Sequence, residues 1–296
     1  FLAYMTDGEL SLILEKYGLP GDARWEGVNT RQALEAELEK IRVDGVCLAP
    51  RVRDETISAL SCPVFERGVL IAAMGEELTA FERDLFEQVT GREREPLERV
   101  DEFWAIVGRR AGKTRGAGVL GAYIATLCDW SDVLAPGERG SLPVLATNTV
   151  QADRAFNHIR GVLEHSPMLC EMIDGEPTSD TIRLTNSIDV QIRPANFRTV
   201  RGVTSVSAIA DELAFWHIEG SRNPDAEVLN AVRPSLATTG GMLISISSPY
   251  AKRGELWKTY RAQYGAEGDP LILVAKGTSR TFNSTLPART VEKAYE

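Results

Sequence analysis

The turn GRRAGKT contains the side chains of this chain best suited to binding a phosphate group. Gly108 and Gly112 let the backbone turn so that its N–H groups point inward and can surround an anion. Lys113 can reach the β- and γ-phosphates of a nucleoside triphosphate, and Thr114 can ligate Mg²⁺. The usual pattern GxxxxGK[ST] would place its first glycine where Val107 stands, so this loop has one fewer residue between its glycines. The sequence therefore predicts a variant phosphate-binding loop.

Two predicted elements flank this turn. Residues 103–107 form an unbroken apolar run, which is typical of a buried strand, and residues 116–127 have the pattern of a packed helix. The amino end of a helix adds positive potential beside a bound anion. A turn between a strand and a helix is thus the expected place for a phosphate-binding loop, but a short Gly-Lys-Thr match needs a second motif to support it.

The second motif is a buried run at residues 204–212 that ends in two adjacent carboxylates, Asp211 and Glu212. In open α/β sheets, ligands bind at the carboxyl ends of the strands. There Asp211 would order the shell of a Mg²⁺ ion, and Glu212 would accept a proton from an attacking water. The alternative is an ordinary acidic helix N-terminus. The alternation of strands and helices between the two motifs favours the catalytic interpretation.

The remaining pattern predicts the elements that would position these motifs. A hairpin is expected at 181–193, turning at Asn186 and Ser187, and residues 277–287 are expected to be a loop. Further strands are predicted at 142–147, 242–246 and 271–275, and helices at 78–89, 152–163, 226–236 and 254–264. This alternation predicts an α/β fold with a mostly parallel sheet flanked by helices.

The segment before these elements is predicted to be a helical N-terminal extension, residues 1–75, followed by the main domain, residues 76–296. Its helices are expected at 9–17 and 30–41, with 47–63 as a connector and 64–74 buried. The first helix and the loop after it are also compatible with a small DNA-binding motif, but a packing or partner-docking extension is the preferred interpretation.

The composition is that of an ordinary globular protein, with 296 residues, 43% of them hydrophobic and 25% charged. No apolar run is long enough to cross a bilayer, and no signal-peptide pattern opens the chain. Four widely spaced cysteines and three histidines argue against a zinc site or a disulfide framework and fit a reducing cytoplasm. The net charge of −9 argues against a protein that coats nucleic acid, but not against one that grips DNA through a few arginines.

Three blocks of the chain, from about Glu76 to Glu296, resemble the ATPase domain of tailed-phage terminase large subunits, the motors that pump DNA into empty capsids. The blocks are GRRAGKT, FRTVRGVTSVSAIADELAFW and RPSLATTGGMLISISSPYAKRGELW. Terminases also tolerate a phosphate loop with a displaced first glycine and often carry arginine in it. The resemblance implies a P-loop NTPase fold of the RecA-like type, with ATP and Mg²⁺ as cofactors.

The resemblance also implies roles for individual residues. Lys113, Arg109 and Glu212 would be catalytic, Thr114 and Asp211 would hold the metal, and Ser247 and Ser248 would couple γ-phosphate loss to the DNA-gripping surface. A Ser-Ser-Pro turn that caps the next helix is the alternative for the serine pair. The expected nucleotide-binding residues are Gly108, Arg109, Arg110, Ala111, Gly112, Lys113, Thr114 and, at the adenine, Gln88 or Phe86. If the catalytic arginine comes from a neighbouring subunit instead, the candidates are Arg139, Arg154, Arg160 and Arg201.

The expected partners are double-stranded DNA, the portal protein and the small terminase subunit, with a homo-oligomeric ring on the capsid and a monomer in isolation. The expected location is the host cytoplasm, transiently at the procapsid portal vertex. Because the chain stops at Glu296, we expect no nuclease domain and no nuclease activity from it. Two rival functions remain open at this stage: an ATP-dependent helicase or repair motor, and a nucleotide-binding module without turnover.

Overall fold

The computed structural model describes residues 10–11, 14–15, 18–19, 27–44, 47–50, 58–61, 67–78, 80–146, 149–196, 202–216 and 224–283. Its contacts divide the chain into two units. The smaller unit is Phe1–Pro63 with Glu164–Glu171, and the larger unit is Val64–Leu163 with Met172–Glu296. The larger unit carries the phosphate loop and the acidic pair.

The smaller unit contains helix α1, Arg31–Asp44, and two short strands. Thr30 caps α1, because its hydroxyl accepts a hydrogen bond from Ala33 N (3.1 Å), and Leu34 lies on the buried face of the helix. The predicted connector is wrong in part: β1 (Cys47–Pro50) and β2 (Ser58–Ser61) pair antiparallel within it. Strands of four residues are too short for alternation to reveal them. Of the predicted first helix, only residues 10–11 and 14–15 are described, and these are helical.

The larger unit has alternating helices and strands, close to the predicted positions. Its helices are α2 (Arg67–Ala73), α3 (Ala80–Thr90), α4 (Lys113–Leu127), α5 (Thr149–His165), α6 (Pro224–Ala237), α7 (Gly254–Gln263) and α8 (Ser279–Phe282). Its strands are β3 (Glu102–Val107), β4 (Gly140–Ala146), β5 (Thr181–Arg183), β6 (Ile188–Pro194), β7 (Ser207–Asp211), β8 (Met242–Ser247) and β9 (Ile272–Gly277). Among the described residues, none of the helices is long and apolar enough to cross a membrane.

The seven strands form one sheet in the order β5-β6-β4-β7-β8-β3-β9. All neighbouring pairs are parallel except β5 and β6, which form the predicted hairpin. The mostly parallel α/β sheet is thus confirmed. Because β7, β8 and β3 are adjacent and parallel, their carboxyl ends meet at one edge of the sheet, with β8 in the middle. This edge carries both predicted motifs and the serine pair.

Helices cover both faces of this sheet. On one face, α6 buries Val228 and Val232 in a cluster with Ala208 and Ala210 of β7. On the other face α4 packs so closely that a Cβ at Gly121 would lie 2.9 Å from Ile209 Cδ1. The sheet is therefore the middle layer of three, and the strand ends that carry the site are held by packing from both sides.

Two observed elements near the site differ from the prediction. Helix α4 begins at Lys113, earlier than the predicted position 116, because Gly112 takes a left-handed conformation and ends the turn there. The predicted loop at 277–287 contains the short helix α8, for which Thr278 is the N-cap. Residues 284–287 lie outside the described part of the chain.

Candidate nucleotide-binding and catalytic site

The loop after β3 is held against the end of β9 and against α8. Gly108 N donates to the Gly277 carbonyl (3.2 Å), and Asn283 Nδ2 donates to the Arg110 carbonyl (3.0 Å). A Cβ atom at Gly108 would lie 2.3 Å from Ser279 Oγ and 2.7 Å from Ser279 N, so a side chain cannot be added without displacing α8. Gly108 is thus required by a close approach of two backbones.

The same loop uses left-handed backbone conformations to enter α4. Gly112 has φ 95°, which favours glycine, and Arg110 has φ 61°, which is costly for a residue with a side chain. Lys113 is the first residue of helix α4, so its charge lies at the amino end of the helix. These features fit the predicted anion-binding turn.

The two predicted motifs meet in space. Lys113 Nζ lies 2.8 Å from Glu212 Oε1, and the side chains of Lys113 and Glu212 are only 9% and 24% exposed. Glu212 follows the last residue of β7 and has φ 52°, a left-handed conformation that is uncommon for a non-glycine residue. The predicted phosphate-binding lysine and the predicted base therefore form a half-buried ion pair.

The second carboxylate oxygen of Glu212 is bound by the end of the middle strand. Glu212 Oε2 accepts hydrogen bonds from Ser248 N (3.1 Å) and from Ser247 Oγ (3.4 Å). Ser247 Oγ in turn accepts a hydrogen bond from Ala214 N (3.1 Å), in the turn that follows Glu212. The serine pair predicted for coupling thus contacts the predicted base directly.

Asp211, the last residue of β7, is 3% exposed, and its Oδ1 atom has no hydrogen-bond partner among the described residues. Burial raises the pKa of Asp211 to about 7, and the neighbouring Glu212 charge adds to this, whereas Lys113 opposes it. A buried carboxylate oxygen without a partner fits a metal ligand, since a cation would restore the charged form.

Magnesium suits this site because it needs few protein ligands. No group of three or more His, Cys, Asp or Glu side chains able to hold a metal occurs among the described residues. Mg²⁺ usually takes one or two protein carboxylates and completes its shell with waters and substrate phosphates. Asp211, with Thr114 in the first turn of α4, would be the protein side of such a shell.

The loop arginines lie next to the site. Arg109 and Arg110 are both exposed in the turn between β3 and α4. Their charges are therefore placed beside the amino end of α4, where the phosphates of a nucleotide would lie. Whether Arg109 stabilises charge on a transferred phosphate stays a prediction.

The arginines predicted as donors from a neighbouring subunit have different surroundings. Arg139 precedes β4, at the amino edge of the sheet, and is ion-paired with Asp189 (Nη2–Oδ1 2.7 Å). Arg154 is exposed on α5, and its charge helps to lower the pKa of Asp211. Arg160 lies further along α5, and Arg201 lies outside the described residues. Among the three of these arginines that the structure describes, Arg154 is the one whose charge acts on Asp211.

Gln88 is not brought to the phosphate loop by the described contacts. It is exposed near the end of α3, where the Thr90 carbonyl accepts a hydrogen bond from Gly265 N (3.1 Å). Gly265 lies in the segment leading into the amino end of β9, so this end of α3 is at the edge of the sheet opposite Lys113. Phe86, the aromatic alternative, is 0% exposed and belongs to the core. The adenine contact of Gln88 stays a prediction.

Sequence reasoning missed the residues that brace the loop from the far end of the chain. Ser279 and Asn283 lie in a segment predicted to be a loop, and no local pattern links them to Arg110. The signal that could have been used is the run Thr-Ser-Arg-Thr at 278–281, in which Thr278 accepts a hydrogen bond from Thr281 N (3.2 Å) as an N-cap.

Neither the scan against protein-family models nor the search of curated proteins finds a match to the sequence. The fold is similar to the ATPase domain of the large terminase of Thermus phage P74-26 in a mutant form, with a TM-score of 0.53 and 13% identity, covering 76% of this chain and 91% of that chain. It is also similar to the large terminase of bacteriophage HK97, with a TM-score of 0.52 and 20% identity, covering 77% of this chain and 52% of that chain. This chain therefore has the fold of the ATPase domain of phage large terminases.

Proposed function

We propose that this chain is the ATP-hydrolysing part of a motor that moves double-stranded DNA into a phage procapsid, with Mg²⁺ as its metal ion. The observation that carries the proposal is the meeting of Lys113 and Glu212, with Asp211 beside them, at one edge of the sheet. The similarity of the fold to terminase ATPase domains supports DNA packaging as the process that ATP hydrolysis drives.

We propose the following order of steps for ATP hydrolysis at this site. The phosphates bind at the amino end of α4 and draw Lys113 away from Glu212, which frees Glu212 Oε1. A water oxygen then bonds to the γ-phosphorus, the bond from that phosphorus to the bridging oxygen of ADP breaks, and the water's proton passes to Glu212. A bound Mg²⁺ would supply positive charge between the phosphates, held from the protein side by Asp211 and Thr114.

The serine pair would transmit the nucleotide state. Ser247 and Ser248 bind Glu212 Oε2, so any movement of Glu212 towards a water or phosphate changes the contacts of the β8 carboxyl end. Such a contact exists in one nucleotide state and not in the other, which is what a coupling element requires.

Assays of phosphate release and of nucleotide binding on the variants Lys113→Ala and Glu212→Gln test whether the chain hydrolyses ATP as proposed. Both substitutions should abolish turnover, and Glu212→Gln should still bind nucleotide. Glu98→Gln, at an exposed position before the amino end of β3, should behave as the wild type. Wild-type turnover in Glu212→Gln would refute the assigned base, and binding without turnover in the wild type would favour a regulatory module.

We place the motor in a ring at the portal vertex of the procapsid, in the host cytoplasm, with the portal protein and the small terminase subunit as partners. Turnover should rise when these partners and DNA are added, because an arginine supplied by a neighbouring subunit would complete the site. Strand separation of the DNA would instead indicate a helicase.

A further inference from the structure

A row of cations and aromatic rings runs along α7 and the end of β9, beside the candidate site. We define this α7 ridge by Lys252, Trp257, Tyr260, Arg261 and Lys276. Tyr260 and Trp257 lie one helical turn apart, with ring centroids separated by 5.7 Å, and the three cations are exposed to solvent. We propose that the α7 ridge binds the phosphate backbone of double-stranded DNA without sequence preference. This inference rests on the proposed function.

The three cations of the ridge form cation–π contacts with its aromatic rings. Lys276 Nζ lies 4.7 Å from the centre of the Tyr260 ring and donates to the Tyr260 hydroxyl (2.9 Å). Lys252 Nζ and Arg261 Cζ lie 5.8 Å and 5.9 Å from the centre of the Trp257 ring. Among the described residues, no carboxylate forms an ion pair with any of these three cations. Their charges are therefore held in place and remain available to an external anion.

The charge of this region is opposite to that of the whole protein. Residues 250–283 contain six Lys and Arg against three Asp and Glu, a net charge of +3, whereas the chain as a whole carries −9. A local positive surface on an acidic protein attracts a polyanion to one face. Because the cations already lie over the faces of the rings, the ridge suits phosphates better than stacked bases.

The ridge is connected to the site from two sides. Helix α7 is the element that follows Ser247 and Ser248, and the rings of Phe215 and Tyr250, which come after Glu212 and Ser248, lie 4.8 Å apart. On the other side, Lys276 precedes Gly277, whose carbonyl accepts the hydrogen bond from Gly108 N. A change in nucleotide state at the strand ends would thus reach the elements that carry the ridge.

Equilibrium binding of two unrelated 30-base-pair duplexes, measured by fluorescence anisotropy at several salt concentrations, tests the proposal. The variant Arg261→Gln with Lys276→Gln should bind both duplexes roughly tenfold more weakly, and the slope of log K against log salt should fall in magnitude by about two, since each phosphate contact contributes about 0.9. Arg94→Gln with Arg183→Gln is the matched control, because both of these arginines are exposed and lie outside the ridge. It should leave the slope unchanged, and thermal melting checks that each variant is folded.

A third variant separates phosphate binding from base stacking. Trp257→Leu keeps all three cations, so the salt slope should persist while affinity falls about threefold through poorer ordering of Lys252 and Arg261. A loss of single-strand binding that exceeds the loss of duplex binding would instead indicate stacked bases, and would overturn the proposal.

The outcomes distinguish this proposal from the proposed function. If the Arg261→Gln, Lys276→Gln variant binds duplex as tightly as the wild type does, the ridge does not bind DNA. The proposed ATPase motor function is not affected by that result. A wild type that binds no duplex overturns both. If the double variant changes sedimentation but not DNA binding, the ridge is a contact between copies of this chain, and the proposal is wrong.

Discussion

Replacing Glu212 by glutamine should tighten nucleotide binding while it stops turnover. Lys113 Nζ is ion-paired with Glu212 Oε1 at 2.8 Å, so incoming phosphates would compete with this carboxylate for the lysine. Glutamine has the same size and can keep the contact with Ser248 N, but it lacks the charge that holds Lys113. The substitution therefore removes the competitor and leaves the loop in place.

The size of this effect follows from the exposure of the pair. A hydrogen bond between charged groups contributes about 1.5–3 kcal/mol. Glu212 is 24% exposed, so solvent screening reduces the competition to about 1–2 kcal/mol. A difference of that size corresponds to an increase in nucleotide affinity of about 5- to 30-fold.

Isothermal titration with a non-hydrolysable ATP analogue, in the absence of divalent metal, measures this gain directly. Asp211→Asn is the control, measured above pH 7 so that Asp211 is charged in the wild type, because it removes a neighbouring carboxylate that forms no ion pair with Lys113 among the described residues. General electrostatic repulsion of the triphosphate would act on both variants, whereas release of Lys113 occurs only in Glu212→Gln. Equal gains in the two variants, or no gain in Glu212→Gln, would refute the competition.

Three further predictions concern the surroundings of the site and the stability of the larger unit. Gly108→Ala should lower nucleotide affinity at least tenfold in the same titration, because the added carbon would lie 2.3 Å from a side-chain oxygen of α8. Gly161→Ala is the control and should have no effect, because a Cβ atom there would have nothing within 4 Å. Arg92→Met should lower the free energy of unfolding in urea by roughly 2–4 kcal/mol, because Arg92 is 7% exposed and its guanidinium donates to five backbone carbonyls between residues 263 and 272. An unchanged midpoint of unfolding would contradict this. Hydrogen bonding to Arg83 lowers the pKa of Glu95 to about 2, so the stability this contact gives is complete above pH 4.5 and is lost as the pH falls towards 2. The difference in unfolding free energy between wild type and Arg83→Gln should shrink over that range.

The centre of the site was predictable because its signals are local. GRRAGKT lies between a strand and a helix, and Asp211-Glu212 ends a buried run; each pattern fits within one strand and the turn after it. Parallel strands then bring their carboxyl ends to one edge, which is a general property of α/β sheets. No knowledge of distant contacts was needed to expect Lys113 near Glu212.

The parts that sequence did not predict depend on long-range packing or on very short elements. The contact between Asn283 and Arg110 joins residues far apart in the chain, and no periodicity records it. The four-residue strands β1 and β2 are too short to show alternation. The adenine contact of Gln88 stays a prediction, because position along the chain does not determine at which end of the sheet a helix terminates.

The order of the strands explains why Glu212 and the serine pair are in contact. Strand β8 lies between β7, which ends at the acidic pair, and β3, which leads into the phosphate loop. A carboxylate that extends from β7 to Lys113 must therefore pass the end of β8, and Ser247 and Ser248 are the residues it meets there. Since α7 is the next helix after β8, we expect release of Lys113 from Glu212 to change the contacts of the strand end that leads into α7. On the proposed mechanism, strand order would thus couple nucleotide binding to the position of the α7 ridge without a large rearrangement of the sheet.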